Sequence, residues 1–174
     1  MITRLFFKSL LSLFFFTFFS VQATEKQIYG LNEKVILPEL GNTIIKAKLD
    51  TGAKTSSLGA TNIHLFKRNG EHWVRFKPQI KGKDLPEMER ILVRHSQIKR
   101  RIADIVDNDD DTLLTNRPVI LMNICFDGQL HAIEVNLTDR SHFIYPLLLG
   151  SSALIEMKAV VDPSIKYQAT TDCK

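Results

Sequence analysis

The tripeptide Asp50-Thr51-Gly52, in "IIKAKLDTGAKTSS", sets a carboxylate, a hydroxyl and a glycine at the end of an apolar-alternating segment. Asp is disfavoured inside strands and common where turns begin. One carboxylate so placed only opens a turn. Two that face each other do chemistry, because like charges about 3 Å apart cannot both ionise and the pair then shares one proton. One member accepts a proton from water while the other donates one to a scissile carbonyl. Gly52 permits a tight turn whose N–H groups hold the carboxylate in one orientation.

Other chemistries fit the residues less well. Asp107, Asp109 and Asp111 have the alternate spacing of a calcium loop, but Thr112 stands where that loop needs Gly and Pro118 where it needs a bidentate Glu. The run reads as a solvated acidic turn. The five histidines, His64, His72, His95, His131 and His142, show no paired helical ligand spacing, so no metal is expected. Ser151 follows a Gly but lacks the G-x-S-x-G form of a serine nucleophile. No G-x-x-x-x-G-K-[ST] loop is present for ATP, and no cofactor is expected.

The elements that must position Asp50 are short strands. "EKVILPEL" and "TIIKAKLD" flank Gly41-Asn42, "IHLFKR" and "HWVRFKP" flank Asn69-Gly70, and "PVILMNICF" and "QLHAIEVNL" flank Asp127-Gly128. Each pair predicts a hairpin. In the last strand Ile133, Val135 and Leu137 share one face, and Glu134 and Asn136 the other. "SSALIEMKA", after Gly150, predicts one short helix. The segment from Lys81 to Asp111 is polar and irregular, predicting loops with a single strand near "RILVRH". Close-set strands with tight turns predict an all-β fold, a closed barrel with one short C-terminal helix.

The chain has 174 residues and a net charge of +4. Residues 1–23 place Arg4 and Lys8 before an apolar stretch from Leu10 to Val21 and then Val21-Gln22-Ala23. That order is a secretory signal peptide, too short in its apolar part for an ordinary membrane span. Residues 24–174 then form one exported, periplasmic domain; if uncleaved, the same segment anchors it to the inner membrane. With Arg4 and Lys8 set aside the net charge is smaller still, which argues against nucleic acid as partner. "HSQIKRR" is the one basic cluster and reads as a solvated segment. Export permits Cys125 and Cys173 to pair, while Cys125, in an apolar run, suits a buried thiol equally.

"LDTGAKTSS" resembles the active-site loop of retropepsin-like aspartic peptidases, whose signature is Asp-Thr-Gly-Ala after an apolar strand. Leu148-Leu149-Gly150 resembles the tripeptide that packs beneath that loop in these enzymes, ahead of a short helix. More closely, the chain resembles a bacterial family labelled ATP-dependent zinc protease, which carries "DTGAKTS", "WVRF", "LTDR" and "P-LLG" in this order. Here these are Asp50 to Ser56, Trp73 to Phe76, Leu137 to Arg140, and Pro146 with Leu148 to Gly150. The resemblance spans roughly residues 28 to 165. It implies an acid-protease-like barrel and an aspartic endopeptidase acting on a peptide or protein substrate. It also implies a homodimer, since the chain has a single Asp-Thr-Gly and a dyad needs two. Asp50 is then catalytic. Thr51, Gly52, Ala53, Leu148, Leu149 and Gly150 support it, Thr51 by bonding across the dimer axis. Ser151 departs from the pattern, which has Arg there as a brace. That departure sustains the alternative of a non-catalytic periplasmic peptide-binding module. Some relatives are linked with ligases that add glutamate tails to a ribosomal protein; export would separate this chain from such a substrate. The hairpin about Asn69-Gly70, with Trp73 and Phe76, reads as core before flap.

Overall fold

The structure is a computed structural model that describes residues 25–99 and 114–173. The expected leader, residues 1–23, and the acidic run at 107–111 lie outside the described residues. Among the described residues ten strands and one α-helix follow in order: β1 (Gln27–Leu37), β2 (Thr43–Asp50), β3 (Ser56–Arg68), β4 (Glu71–Pro78), β5 (Met88–Ile91), β6 (Arg94–Lys99), β7 (Leu114–Phe126), β8 (Gln129–Thr138), β9 (Leu147–Gly150), α1 (Ser151–Glu156) and β10 (Ala159–Lys166). Strand β1 pairs with β2, β2 with β9, β9 with β3, β3 with β8 and β8 with β7, and β7 returns to β1 at Cys125 opposite Ile36. Six strands thus close an all-β, acid-protease-like barrel, as expected. β10 adds outside β1, β6 outside β7, and β4 and β5 extend the far end of β3.

The three hairpins form where the turn residues place them. Asn69 and Gly70 have φ of 51° and 82°, and Asp127 and Gly128 have 49° and 76°. Two successive left-handed residues are what a two-residue turn needs to match strand twist, and Asn, Asp and Gly tolerate that conformation best. Gly41 and Asn42 are left-handed as well, after a 3-10 turn over Pro38–Leu40.

Alternation fills the barrel. Ile45, Ala47 and Leu49 of β2 point inward, with Val35 and Leu37 of β1 and Ile133, Val135 and Leu137 of β8. Fully burying a side chain of this kind is worth about 1.5–3 kcal/mol. Asn136 departs from its expected polar face: it is buried. Its Oδ1 accepts from Ser57 Oγ at 3.0 Å and its Nδ2 donates to Ser56 O at 2.9 Å. The amide stands opposite Ser57 in the parallel pairing of β3 with β8, and its hydrogen bonds satisfy it.

Two expectations need correction. The segment after Lys81 holds two strands, β5 and β6. Leu92 and Val93 part them, their N–H groups donating to His72 O and Val119 O. Nine residues separate β5 from its partner β4 and fourteen separate β6 from its partner β7, so no two-residue turn signal marked either pairing. The Asn69-Gly70 hairpin is core only on one side. Val74 and Phe76 are fully buried, but Trp73 lies on the opposite face, beside Phe66 and under the Arg68 guanidinium at 4.8 Å. Strand alternation alone requires that split.

Cys125 and Cys173 form a disulfide with Cα atoms 6.2 Å apart. It ties the C-terminal tail to β7. Glu33, fully buried, holds the same tail by accepting from the backbone N–H groups of Gln168 and Ala169, each at 3.0 Å.

Candidate active site

Asp50 is the last residue of β2, on the face opposite Ile45, Ala47 and Leu49. β2 runs parallel to β9 in register Lys48–Leu148, Leu49–Leu149 and Asp50–Gly150. The Asp-Thr-Gly and Leu-Leu-Gly tripeptides therefore lie side by side. Leu149 is buried in the barrel, while Leu148 faces the groove beside Asp50.

The loop that follows Asp50 is pinned at both ends. Gly52 N–H donates to Asp50 Oδ1 at 3.1 Å, and Ala53 N–H to Asp50 O at 3.4 Å. From the adjoining strand and helix, Ser151 N–H donates to Ala53 O at 2.7 Å, Ser152 N–H to Lys54 O at 3.1 Å, and Gly150 N–H to Ser56 Oγ at 3.1 Å. Gly150 has no room for a side chain: a Cβ would stand 2.7 Å from Lys54 O. Ser151 thus braces the loop through its backbone. Thr51 and Gly52 are exposed and Ala53 is half-buried.

Asp50 is partly exposed, and Lys48 Nζ lies 3.8 Å from its Oδ2. It opens into a groove of about 600 Å³, also lined by Asn32, Arg140, His142, Phe143 and Ile144. Arg140 is a site residue that its sequence motif marked without assigning a role. It is 8% exposed, donates from Nε to Tyr145 O at 3.0 Å, and lies under the Phe143 ring at 4.5 Å. Burial and then the charge of Arg117 push its guanidinium pKa down, while the negative charge of Asp50 opposes them. No local signal separates a buried Arg in a loop from a solvated one. On the other flank of the loop lies a cavity of about 990 Å³, bounded by Gly52 to Thr55, β6 residues Arg94 to Ile98, and Glu134. Strand β6 faces the Asp loop here; neither cavity is lined by Trp73 or Phe76.

Asp162, the carboxylate that precedes Pro163, is engaged away from Asp50. Its Oδ1 accepts from Ser164 N–H at 2.8 Å and Ser164 Oγ at 2.6 Å, which lowers its pKa, and Pro163 lies within β10, where the pairing with β1 is irregular. Among the described residues, no group of three or more His, Cys, Asp or Glu side chains converges on a metal position.

A closed barrel with an Asp-Thr-Gly loop lying over Leu-Leu-Gly defines a retropepsin-like protein. The chain belongs to the RimB-like family, described as retropepsin-like aspartic endopeptidase RimB, whose model matches residues 28–172. It is 37% identical over 145 residues to a probable alpha-L-glutamate ligase of Shewanella halifaxensis (strain HAW-EB4), covering 82% of this chain and 30% of that one. A protein of the same description from Desulfotalea psychrophila (strain LSv54 / DSM 12343) is 32% identical over 148 residues, with 83% and 30% covered. The chain thus spans under a third of these curated relatives. Among solved structures it is similar to Lpg0085 from Legionella pneumophila subsp. pneumophila str. Philadelphia 1, a protein of unknown function (DUF785). Identity is 36% and the TM-score 0.66, with 82% of this chain and 98% of that chain covered.

Proposed function

We propose that this protein is an aspartic endopeptidase whose two carboxylates are the Asp50 side chains of a homodimer. The observation that carries the reading is the exposed edge at Asp50-Thr51-Gly52: a carboxylate held by Gly52 N–H, on a loop pinned from beneath, with the Thr51 hydroxyl uncovered. In this reading the dimer axis passes beside Asp50, and Thr51 bonds across it. The paired carboxylates share one proton. The ionised one takes a proton from water as the water oxygen attacks the scissile carbonyl carbon. The protonated one gives its proton to the carbonyl oxygen. Collapse of the tetrahedral diol breaks the C–N bond, and the leaving nitrogen takes up a proton from the dyad. No metal or nucleotide enters these steps.

Lys48, Arg140 and His142 line the groove beside Asp50, so peptides with acidic side chains next to the scissile bond suit it best. The ligase activity named for the longer relatives forms no part of this reading. In this reading residues 1–23 are a secretory leader and the mature protein, from Thr24, acts in the periplasm; intact mass of the periplasmic species tests that. Digestion of an unbiased peptide library, with Asp50→Asn as control, tests the function. Cleavage by the wild type and none by the variant is expected. Tight peptide binding with no cleavage by either would establish the alternative, a non-catalytic peptide-binding module.

A further inference from the structure

Below the catalytic loop, strand β9 and helix α1 hold the loop at the backbone oxygens of Ala53 and Lys54 and at Ser56 Oγ. A side chain reaches the same loop from across the larger cavity. Arg94, the first residue of β6, donates from Nη2 to Thr55 Oγ1 at 3.0 Å. Its Nε and Nη2 also donate to Glu134 Oε2 on β8, at 2.8 and 2.6 Å. Nη2 carries two hydrogens, one for each acceptor, and the planar guanidinium is oriented by its double contact with Glu134. Glu134 stands beside the exit of the loop, because Val135 is in register with Ser56.

We infer that Arg94 is a positioning residue, which fixes the loop of Asp50 through Thr55 and so couples the outer strand β6 to the candidate catalytic carboxylate. The inference rests on the endopeptidase reading for its kinetic consequence, and on geometry alone for the coupling. A global stabilising role does not account for the arrangement. Both members of the Arg94–Glu134 pair are 40% exposed, and exposed ion pairs contribute little to folding. The three groups instead join, around the cavity, the turn after β2, the start of β6 and the middle of β8. Lys in place of Arg94 has a single nitrogen and no fork with which to span Thr55 and the carboxylate in this geometry.

Amide hydrogen exchange on the full chain tests the coupling without any substrate. Arg94→Met and Thr55→Val each raise exchange across Ala53–Ser56 by about tenfold, with the melting temperature and exchange in the barrel strands unchanged. Thr55→Ser keeps the hydroxyl and exchanges like the wild type. The double variant Arg94→Met/Thr55→Val is no faster than either single one, because both break the same contact. In library-derived peptide cleavage, the two single variants lower kcat about tenfold at constant KM, since a small displacement of a catalytic group costs rate before affinity. Unchanged loop exchange in Thr55→Val, equal behaviour of the Ser and Val variants, or additive effects in the double variant would overturn the inference. A wild type that cleaves nothing rejects the endopeptidase reading, and the exchange result still decides the coupling.

Discussion

Gly150 passes so close to Lys54 that a Cβ on the glycine would stand 2.7 Å from the lysine carbonyl oxygen, and equally near Thr55 C. Both obstacles are backbone, so no side chain can swing aside. Gly150→Ala must therefore push the Asp50 loop away from β9. We expect a loss of about 1–3 kcal/mol in denaturant unfolding, the usual cost of overpacking. Gly41→Ala, where a Cβ meets nothing within 4 Å, gives a comparison in which only the left-handed backbone is strained. The Gly150 variant loses peptide cleavage while folded; the Gly41 variant keeps it.

Subunit mixing tests the shared dyad. Asp50→Asn keeps the shape of the side chain and removes its acid–base capacity. An equal amount of this variant, added to wild type with free exchange, leaves about a quarter of the doubled dimer pool as wild-type pairs, so activity falls to about half under symmetric assembly. If both carboxylates came from one chain, added variant would change nothing. Exchange is confirmed with a tagged subunit.

Tyr29 supplies an alkaline limit. Its ring packs edge-on against Phe126 at 4.6 Å, and its hydroxyl donates to Asp127 Oδ2 at 2.8 Å. Burial, and next the hydrogen bond to Asp127, push the phenol pKa well up. The folded value exceeds the unfolded one, so the contribution is fully present below about pH 10, the unperturbed tyrosine value, and is lost as pH rises through the folded value. Urea midpoints measured from pH 8 to 11 should fall more steeply for wild type than for Tyr29→Phe. At pH 8 the variant should be weaker by about 1 kcal/mol, the worth of one hydrogen bond.

The disulfide closes a loop across a sequence separation of 48 residues. Constraint of the unfolded chain over such a loop is worth about 2–4 kcal/mol. Cys125→Ala/Cys173→Ala should lower the unfolding free energy by that amount and remain folded, because Glu33 still holds the backbone at Gln168 and Ala169. Reduction of the wild type should shift its unfolding midpoint equally.

Alternating apolar residues and the Gly41-Asn42, Asn69-Gly70 and Asp127-Gly128 turns determined the three hairpins, since strand period and left-handed turn residues act over a few neighbours. The same local logic identified Asp50-Thr51-Gly52 as a turn bearing a carboxylate, while resemblance to retropepsin-like peptidases marked Leu148-Leu149-Gly150 as its companion. Only the tertiary structure brought Gly150 into register with Asp50, sent Arg94 across a cavity to Thr55, and buried Arg140 beside the groove. It also decided that Asn136 is an interior amide and that Cys125 pairs with Cys173. Those outcomes depend on which strands become neighbours when the barrel closes. Closure is set by the summed burial of many side chains, so no single stretch of sequence contains it.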